Sequence, residues 1–386
     1  MIFLDAAATT PVRREVLEAM WPYLSGDFGN PSSHHSLGGS AATALAEARA
    51  GVAKVLNCRT GEVTFTSGGT EADNLAVKGI ALARRAADPS LDRVVISAVE
   101  HPAVEESARY LARIHGFGVD VVPVDGDGLV TVDALREVLG PRTALVSIMY
   151  ANNEVGTVQP VAELAAAAHG YGVPFHTDAV QAAGWLPLDV KVLGVDALSL
   201  SGHKLGAPKG SGVLFAKGRL RLEPLVHGGG QERGRRSGTE NVAGAVALST
   251  ALVISHGEQE AMARRVSGLR DLFISAVQES VPDAVLTGHP VERLPSVASF
   301  CFPGTSGESV LLELERLGVI CSSGSACAAG SDAPSPVLLA LGIPPETAQT
   351  AIRFSFTQAI TDVELRQAAA AVETAVGRVR NLAQRG

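Results

Sequence analysis

A lysine inside a run of small residues is the first feature of this sequence that points to chemistry. Lys204 lies in SLSGHKLGAPKGSG, between the apolar runs DALSL and GVLFA. Burial is expected there, and a buried lysine without a partner either loses its proton or is not tolerated. A desolvated neutral amine attacks carbonyl groups and forms Schiff bases. The position of Lys204 therefore predicts an amine that traps an aldehyde.

Other polar side chains follow further apolar runs in the same way. His101 follows RVVISAVE, and Asn153 follows TALVSIMYA. Asp178 ends VPFHTD, with Gln181 three residues later. Each has an ordinary structural alternative, since a histidine can sit in a core and an aspartate can cap the next helix. In open α/β sheets, however, ligands bind beyond the carboxyl ends of the strands, so these residues are candidates for one site.

The segment SGGTE after the run EVTFT predicts an anion site. Gly68 and Gly69 allow close approach of the backbone, and Thr70 adds a hydroxyl. The first N–H groups of a helix that begins here suit a phosphate, although such a turn is equally an ordinary strand-to-helix connection. The segment is neither a Walker A nor a GxGxxG motif. A phosphate cradle, an imidazole, a carboxylate and an amine together match the contacts that pyridoxal phosphate needs.

The elements that must position these residues alternate between short apolar runs and longer amphipathic ones. Their alternation predicts an α/β domain with a mostly parallel sheet. The pattern changes near residue 256, where a long helical segment leads to the strand VASFCF, a helix near 307–317, the strand AIRFSF and a helix over 361–383. We predict a large domain over 13–256 and a small α+β domain formed by 1–12 with 257–386. The seven strands predicted for the large domain are EVTFT, RVVIS, VDVVPV, TALVSIMY, VPFHTD, DALSLS and GVLFA.

The bulk composition narrows the class of protein further. The chain has 386 residues, 46% of them hydrophobic, and a net charge of −8, which argues against nucleic-acid binding as the main task. Its four cysteines form no CxxC pair, so we expect neither a zinc site nor a disulfide framework. No signal peptide and no apolar run of about 20 residues is present. We therefore expect a soluble cytoplasmic protein that binds no membrane and no metal.

The order and spacing of many short motifs resemble one enzyme family along essentially the whole chain. The sequence is similar to the class V aminotransferase-like, fold-type I pyridoxal phosphate enzymes, and within them to the NifS/IscS cysteine desulfurases. The resemblance implies a large domain with a mostly parallel seven-stranded sheet and a smaller α+β domain. The motifs are LDAAATTP, FGNPSS, FTSGGTEADN, EHPAV, ANNEVGTVQP, DAVQAAG, SGHK, APKG, GGGQERGRRSGTEN, SSGSAC and IRFSF.

The resemblance implies a role for each matching residue. Lys204 would hold the cofactor through its amine and later move protons on the substrate. Asp178 would keep the pyridine nitrogen protonated, and His101 would stack on the ring and serve in acid–base steps. Asn153 and Arg353 would hold the substrate carboxylate, because an arginine fork pairs two oxygens at once. The remaining implied cofactor contacts are Gln181 at the phenolate oxygen, Asn153, and Gly69, Thr70, Ser201 and His203 around the phosphate.

The sequence around Cys327 predicts a nucleophile on a flexible loop. The run CSSGSACAAGSDAPSP consists of small and turn-forming residues that cannot pack a core. A cysteine on such a loop can ionise and move, whereas one in a core strand is an inert small hydrophobe, which we expect for Cys58 and Cys301. SSGSAC resembles the desulfurases with a longer catalytic loop, which implies that Cys327 attacks the substrate sulfur and carries a persulfide. Cys321 is a candidate for a second sulfur relay.

The resemblance also implies partners. These are L-cysteine as substrate, a sulfur-acceptor protein, and a second copy of the chain whose phosphate would be touched by Thr239 of RSGT. Iron–sulfur cluster assembly is the first expectation for the sulfur, and tRNA thiolation, thiocofactor synthesis or DNA phosphorothioation are alternatives. The chain departs from the family at Ala6, where a polar residue is common, and at Ala328 and Ala329 after the cysteine. Rival predictions are a selenocysteine lyase, a class V aminotransferase and a non-catalytic scaffold.

Overall fold

A computed structural model describes residues 1–323 and 333–383. Within them the chain alternates between strands and helices up to residue 216 and then enters a long helix. The strands are β1 (Ile2–Phe3), β2 (Val63–Thr66), β3 (Arg93–Ser97), β4 (Gly118–Val122), β5 (Thr143–Ser147), β6 (Phe175–Asp178), β7 (Ala197–Ser201), β8 (Gly212–Ala216), β9 (Val285–Leu286), β10 (Val297–Cys301), β11 (Val319–Ile320) and β12 (Ala351–Ser355).

The helices cover both faces of the central sheet and one face of a smaller one. They are α1 (Arg14–Met20), α2 (Pro22–Ser25), α3 (Ser36–Val55), α4 (Gly69–Ala87), α5 (Pro102–His115), α6 (Val132–Val138), α7 (Val161–Gly170), α8 (Val190–Leu193), α9 (Val242–Ser280), α10 (Gly307–Arg316), α11 (Pro336–Ala340), α12 (Pro345–Ala348) and α13 (Asp362–Ala383). No helix in the described ranges is both long and apolar enough to cross a membrane. The predicted cytoplasmic location stays a prediction.

The central sheet has seven strands in the order β2-β8-β7-β6-β5-β3-β4. Strands β4, β3, β5, β6 and β7 pair in parallel, while β8 is antiparallel to both β7 and β2. Every residue of β5, β6, β7 and β8 is buried, as their apolar and β-branched composition predicts for strands covered on both faces. The predicted fold class is confirmed, and β2 and β8 make the sheet mostly rather than wholly parallel.

A second core lies between β10, β12, α10, α13 and the C-terminal half of α9. Its centre is aromatic, with the rings of Phe273 and Phe354 packed edge to face at 5.1 Å. The short strand β1 pairs with β11, so the N-terminal residues join this second unit. Helix α9 runs for 39 residues through the predicted domain boundary near residue 256. The division into two domains stays a prediction.

Candidate active site

Five of the predicted site residues lie at one edge of the central sheet. Strand β6 ends at Asp178 and β7 ends at Ser201. His101 lies four residues after β3, and Asn153 lies six residues after β5. Gly69 begins α4 three residues after β2, whose carboxyl end lies at the same edge because two antiparallel pairings relate β2 to β7. Strand packing thus gathers residues that are more than 130 positions apart in sequence, from Gly69 to Ser201.

The start of α4 packs closely against the ends of β6 and β7. A Cβ atom on Gly69 would lie 2.7 Å from Cγ2 of Val180 and 3.3 Å from Cβ of Ser201. The N-cap residue, Gly68, supplies no side-chain hydrogen bond to the first turn, so the helix presents backbone N–H groups there. The exposed Thr70 lies in that turn. This arrangement suits a phosphate.

Three buried or partly buried ionisable groups meet beside the end of β6. One ring nitrogen of His101 and one carboxylate oxygen from each of Asp73 and Asp178 all lie within 4.8 Å of one another. Burial raises the pKa of the Asp178 carboxyl, while His101, the Val180 N–H and Lys204 oppose that effect. Burial also raises the pKa of Asp73, and the neighbouring Asp178 raises it further. Two carboxyl groups this close in an apolar site do not ionise together, so a cationic partner would favour the ionised form of Asp178.

His101 combines a structural role with a place in this cluster. Its Nδ1 accepts a hydrogen bond of 3.1 Å from the Ala103 N–H and caps α5 at its N-terminus. Because Nδ1 accepts, the proton of the neutral ring resides on Nε2. Burial lowers the pKa of His101, whereas the Asp178 carboxylate raises it. The cap therefore fixes the orientation of the imidazole beside Asp178.

The N-terminal segment crosses the site and holds the predicted lysine. Lys204 Nζ donates to the carbonyl oxygens of Ala7 and Ala8, the latter at 2.8 Å. Gln181 Nε2 also donates to the Ala7 carbonyl oxygen, at 3.0 Å. His203 contacts Thr9 Oγ1 at 3.2 Å, and burial lowers the pKa of His203 to about 4. Sequence reasoning could not identify these backbone carbonyl groups, since any residue supplies one.

A cavity of about 220 Å³ opens beside Lys204 and Gln181. Its wall includes Ala6, Trp185 and Phe356. Ala6 contributes only a methyl side chain to this wall, which also includes the polar Thr10 and Arg13.

Arg353, which is predicted to bind the substrate carboxylate together with Asn153, is a buried cation. Only 2% of the residue is exposed, in the middle of β12. Its Nη1 donates to the Asn153 carbonyl oxygen at 2.9 Å, and its Nη2 donates to Asp5 Oδ1 at 2.8 Å. Its Nε is buried without a hydrogen-bond partner among the described residues. Sequence reasoning paired Arg353 with Asn153 but did not identify Asp5.

The thiols of the described cysteines all ionise less readily than a free cysteine thiol. Burial raises the pKa of Cys58 to about 12 and that of Cys301 to about 11. Burial and the nearby Asp5 raise the pKa of Cys321 as well. Cys301 lies in a core strand as predicted, whereas Cys58 follows α3 and is not in a strand. Cys327, the predicted nucleophile, lies outside the described residues.

Ion pairs hold the arginine-rich segment before α9, residues 228–241, against α3 and α4. Both oxygens of the Glu232 carboxylate accept from Arg49, each at 2.7 Å. Arg236 donates to Glu71 at 2.9 Å. Thr239 is exposed and lines a cavity of about 240 Å³ together with Ser67. The predicted contact of Thr239 with a neighbouring subunit stays a prediction.

Comparison with known proteins places this site in a family. The model of the class-V aminotransferases matches residues 2–367. The chain is 43% identical over 381 residues to the cysteine desulfurase IscS of Dictyoglomus turgidum, covering 99% of this chain and 96% of that protein. It is 44% identical over 387 residues to an IscS-like cysteine desulfurase of Mycobacterium tuberculosis, covering 99% and 98%. A solved NifS-like protein matches with a TM-score of 0.91 and 34% identity, covering 98% of this chain and 99% of that one.

The chain therefore belongs to the aminotransferase class-V family, and the predicted family resemblance is confirmed.

Proposed function

We propose that this protein is a pyridoxal phosphate-dependent cysteine desulfurase. It converts L-cysteine to L-alanine and retains the sulfur as a persulfide on Cys327. The observation that carries the proposal is the meeting of Asp178, His101 and Lys204 at one sheet edge, where each affects the pKa of another. Relatives named cysteine desulfurase, which this chain matches over 99% of its length, support the same reaction.

The described residues fit the cofactor. The first turn of α4, with Gly69 and Thr70, offers N–H and hydroxyl donors to a phosphate. Ser201 and His203 lie at the end of the adjacent strand β7 and complete the phosphate contacts. Asp178, whose burial disfavours an unpaired negative charge, holds the pyridine nitrogen. The same proposal gives His101 the ring face, and gives Gln181 and Asn153 the remaining polar contacts.

Lys204 and His101 carry the proton transfers. When bound, pyridoxal phosphate supplies an aldehyde that links to amines and a ring that withdraws electrons from the substrate Cα. Lys204 would hold the cofactor through its amine, and as a free amine it would remove the proton from the substrate Cα. His101, with its neutral-state proton on Nε2, donates or accepts protons at the substrate side. Arg353 and Asn153 orient the substrate by its carboxylate.

Cys327 receives the sulfur. Its thiolate attacks the substrate sulfur, an S–S bond forms, and the substrate C–S bond breaks. The electron pair of that bond passes to the substrate Cβ, which takes up a proton. Lys204 returns the proton that it removed from Cα, and the product leaves as alanine. The thiols of Cys58, Cys301 and Cys321 all have raised pKa values, with desolvation as the largest cause, which supports assigning the nucleophile to Cys327.

A sulfur-acceptor protein receives the persulfide sulfur, and iron–sulfur cluster assembly is the destination we propose first.

The active unit is a homodimer in which Thr239 reaches the neighbouring phosphate site. Support for a covered surface comes from large apolar side chains near α1 and α2, where Trp21 and Phe28 are each 66% exposed. Light scattering is expected to give twice the chain mass, and the mass of one chain would contradict the dimer.

The assay that tests the activity follows L-alanine and sulfide released from L-cysteine in the presence of a reductant. We expect the wild type to carry a visible cofactor band and to release both products in equal amounts. Lys204→Ala is expected to lose turnover, because it removes the amine that we propose holds the cofactor and moves the Cα proton. A wild type that carries the cofactor but releases no sulfide would exclude the desulfurase activity.

A further inference from the structure

The proposed function gives no role to Glu154, a partly exposed residue whose carboxyl group lies near Arg353 and is desolvated by its surroundings. Glu154 follows Asn153 in a turn in which Asn152 Oδ1 accepts from the backbone N–H groups of Glu154 and Val155, at 2.8 and 2.9 Å. This turn also presents the Asn153 carbonyl oxygen to Arg353 Nη1. Glu154 thus directly follows the residue whose carbonyl oxygen binds this guanidinium, and its carboxyl group interacts electrostatically with the same guanidinium.

The side chain of Glu154 is held by a second element. Ser335 Oγ donates to Glu154 Oε2 at 2.5 Å and accepts from the Leu338 N–H at 3.3 Å, which caps α11. A carboxyl oxygen can accept the Ser335 hydroxyl whether the acid is ionised or neutral. Glu154 can thus change its charge without loss of the helix cap.

Two further anions beside Arg353 would give this cluster an excess of negative charge. The Arg353 guanidinium carries one positive charge, and the Asp5 carboxylate already lies 2.8 Å from it. An ionised Glu154 adds a second negative charge to the cluster, and a substrate carboxylate would add a third. Excess charge in a buried site is costly, and ionisable groups relieve it by changing protonation.

We propose that Glu154 is a positioning residue for the substrate carboxylate, and that it takes up a proton from solvent when that carboxylate binds Arg353. The inference rests on the proposed function, because that function supplies the carboxylate ligand. Negative charge on Glu154 and negative charge on the ligand then exclude one another. Glu154 thereby makes the affinity for amino acids depend on pH.

The surroundings of Glu154 determine the direction of this dependence. Burial raises its pKa to about 7, while Ser335 and Arg353 oppose the shift. The other ionisable groups of the cluster come from different segments, namely Arg353 on β12, Asp5 after β1, and Cys321 after β11 with its raised thiol pKa. Above about pH 7 Glu154 is ionised and repels the ligand, so affinity falls as pH rises.

The test measures binding of L-alanine, which has the carboxylate and amine of the substrate but no thiol. The visible absorbance of the bound cofactor reports binding to the holoprotein from about pH 6 to about pH 9. At each pH, the dissociation constant of the wild type is divided by that of Glu154→Gln. This ratio cancels the effect of the titration of the ligand itself. We expect a ratio near one at low pH that rises to about tenfold at high pH, since one pKa unit of coupling is a factor of ten. The exposed Glu163→Gln is the matched control and should match the wild type at every pH.

A second variant identifies the titrating group. Ser335→Ala removes the hydroxyl that favours the ionised form of Glu154, so the rise in the ratio should move to higher pH. A ratio that is the same at every pH would overturn the inference, because a purely structural role of Glu154 changes affinity uniformly. A wild type that binds neither the cofactor nor L-alanine would overturn the proposed function as well. A flat ratio in a protein that binds both would overturn this inference alone.

Discussion

At the scale of single residues, burial raises the pKa of several carboxyl groups in and around the site. Asp73, Glu100, Glu154 and Asp178 all have raised pKa values, and burial is the largest cause for each. Such groups can gain or lose a proton when a charged ligand arrives. The chemistry that we propose therefore begins with side chains whose charge is not fixed by the fold alone.

The raised pKa of a buried carboxyl group can be tested at Glu100 in the absence of any ligand. Its Oε1 accepts from Ser97 Oγ at 2.5 Å and from the Met149 N–H at 2.9 Å, and burial raises its pKa to about 8. Between about pH 4.5 and pH 8 the unfolded chain ionises this group while the folded protein keeps it protonated. The free energy of unfolding of the wild type should therefore fall relative to Glu100→Gln across that window.

Urea denaturation at several pH values measures the difference. Glu106→Gln, a change at an exposed position on α5, is the control. A constant difference between wild type and Glu100→Gln from about pH 4.5 to pH 8 would show that Glu100 is ionised in the folded protein at all these values.

At the scale of elements, the start of α4 depends on a glycine, and the segment before α9 depends on a buried ion pair. The start of α4 needs Gly69, since a side chain there would meet Val180 and Ser201. The segment before α9 places Glu232 and Arg233 at φ of 50° and 60°, a conformation that is unfavourable for residues other than glycine. The buried pair of Glu232 with Arg49 holds that backbone in place.

Glu232→Ala should therefore destabilise the protein by about 3 kcal/mol, because it leaves Arg49 buried and unpaired. The free energy of unfolding from urea titration measures the loss. Arg233→Ala, at an exposed neighbour in the same strained backbone, is the control and should cost less than about 1 kcal/mol. Equal effects of the two variants would contradict a role for the buried ion pair.

Several elements of the site could be predicted from the sequence because local patterns encode them. Apolar runs located the strands, and polar residues after them located Lys204, Asp178 and His101 at one edge. The antiparallel direction of β8 could not be predicted, since hydrophobic periodicity does not encode strand direction. Asp5 could not be assigned either, because it meets Arg353 across 348 residues and no local motif marks such a pair.

Other site residues were found only through the resemblance. Arg353 alone, on a strand near the C-terminus, would be interpreted as part of an ordinary ion pair, and its place in IRFSF changed that interpretation. Glu154 was part of the matched motif ANNEVGTVQP but had no role there. Its significance depends on burial next to Arg353 and Ser335, which tertiary packing alone creates.

At the scale of the whole molecule, two cores meet around the N-terminal segment. Residues of this segment bind Lys204 through backbone carbonyls and Arg353 through Asp5. Helix α9 connects the cores, with Leu252 in one and Phe273 in the other. The proposed cofactor site and substrate-carboxylate site are thus joined by one continuous stretch of chain, Asp5–Thr10.

The central claim is that Cys327 carries the sulfur, and mass spectrometry of the peptide that contains Cys327 tests it most directly. The holoprotein is incubated with L-cysteine, trapped with an alkylating reagent and digested, and the peptide containing Cys327 is compared with the same peptide of Cys327→Ser. We expect one additional sulfur atom on Cys327 in the wild type, and a variant that keeps the cofactor band but releases no alanine. Full alanine release by Cys327→Ser, or the additional sulfur on Cys321 instead, would contradict the account.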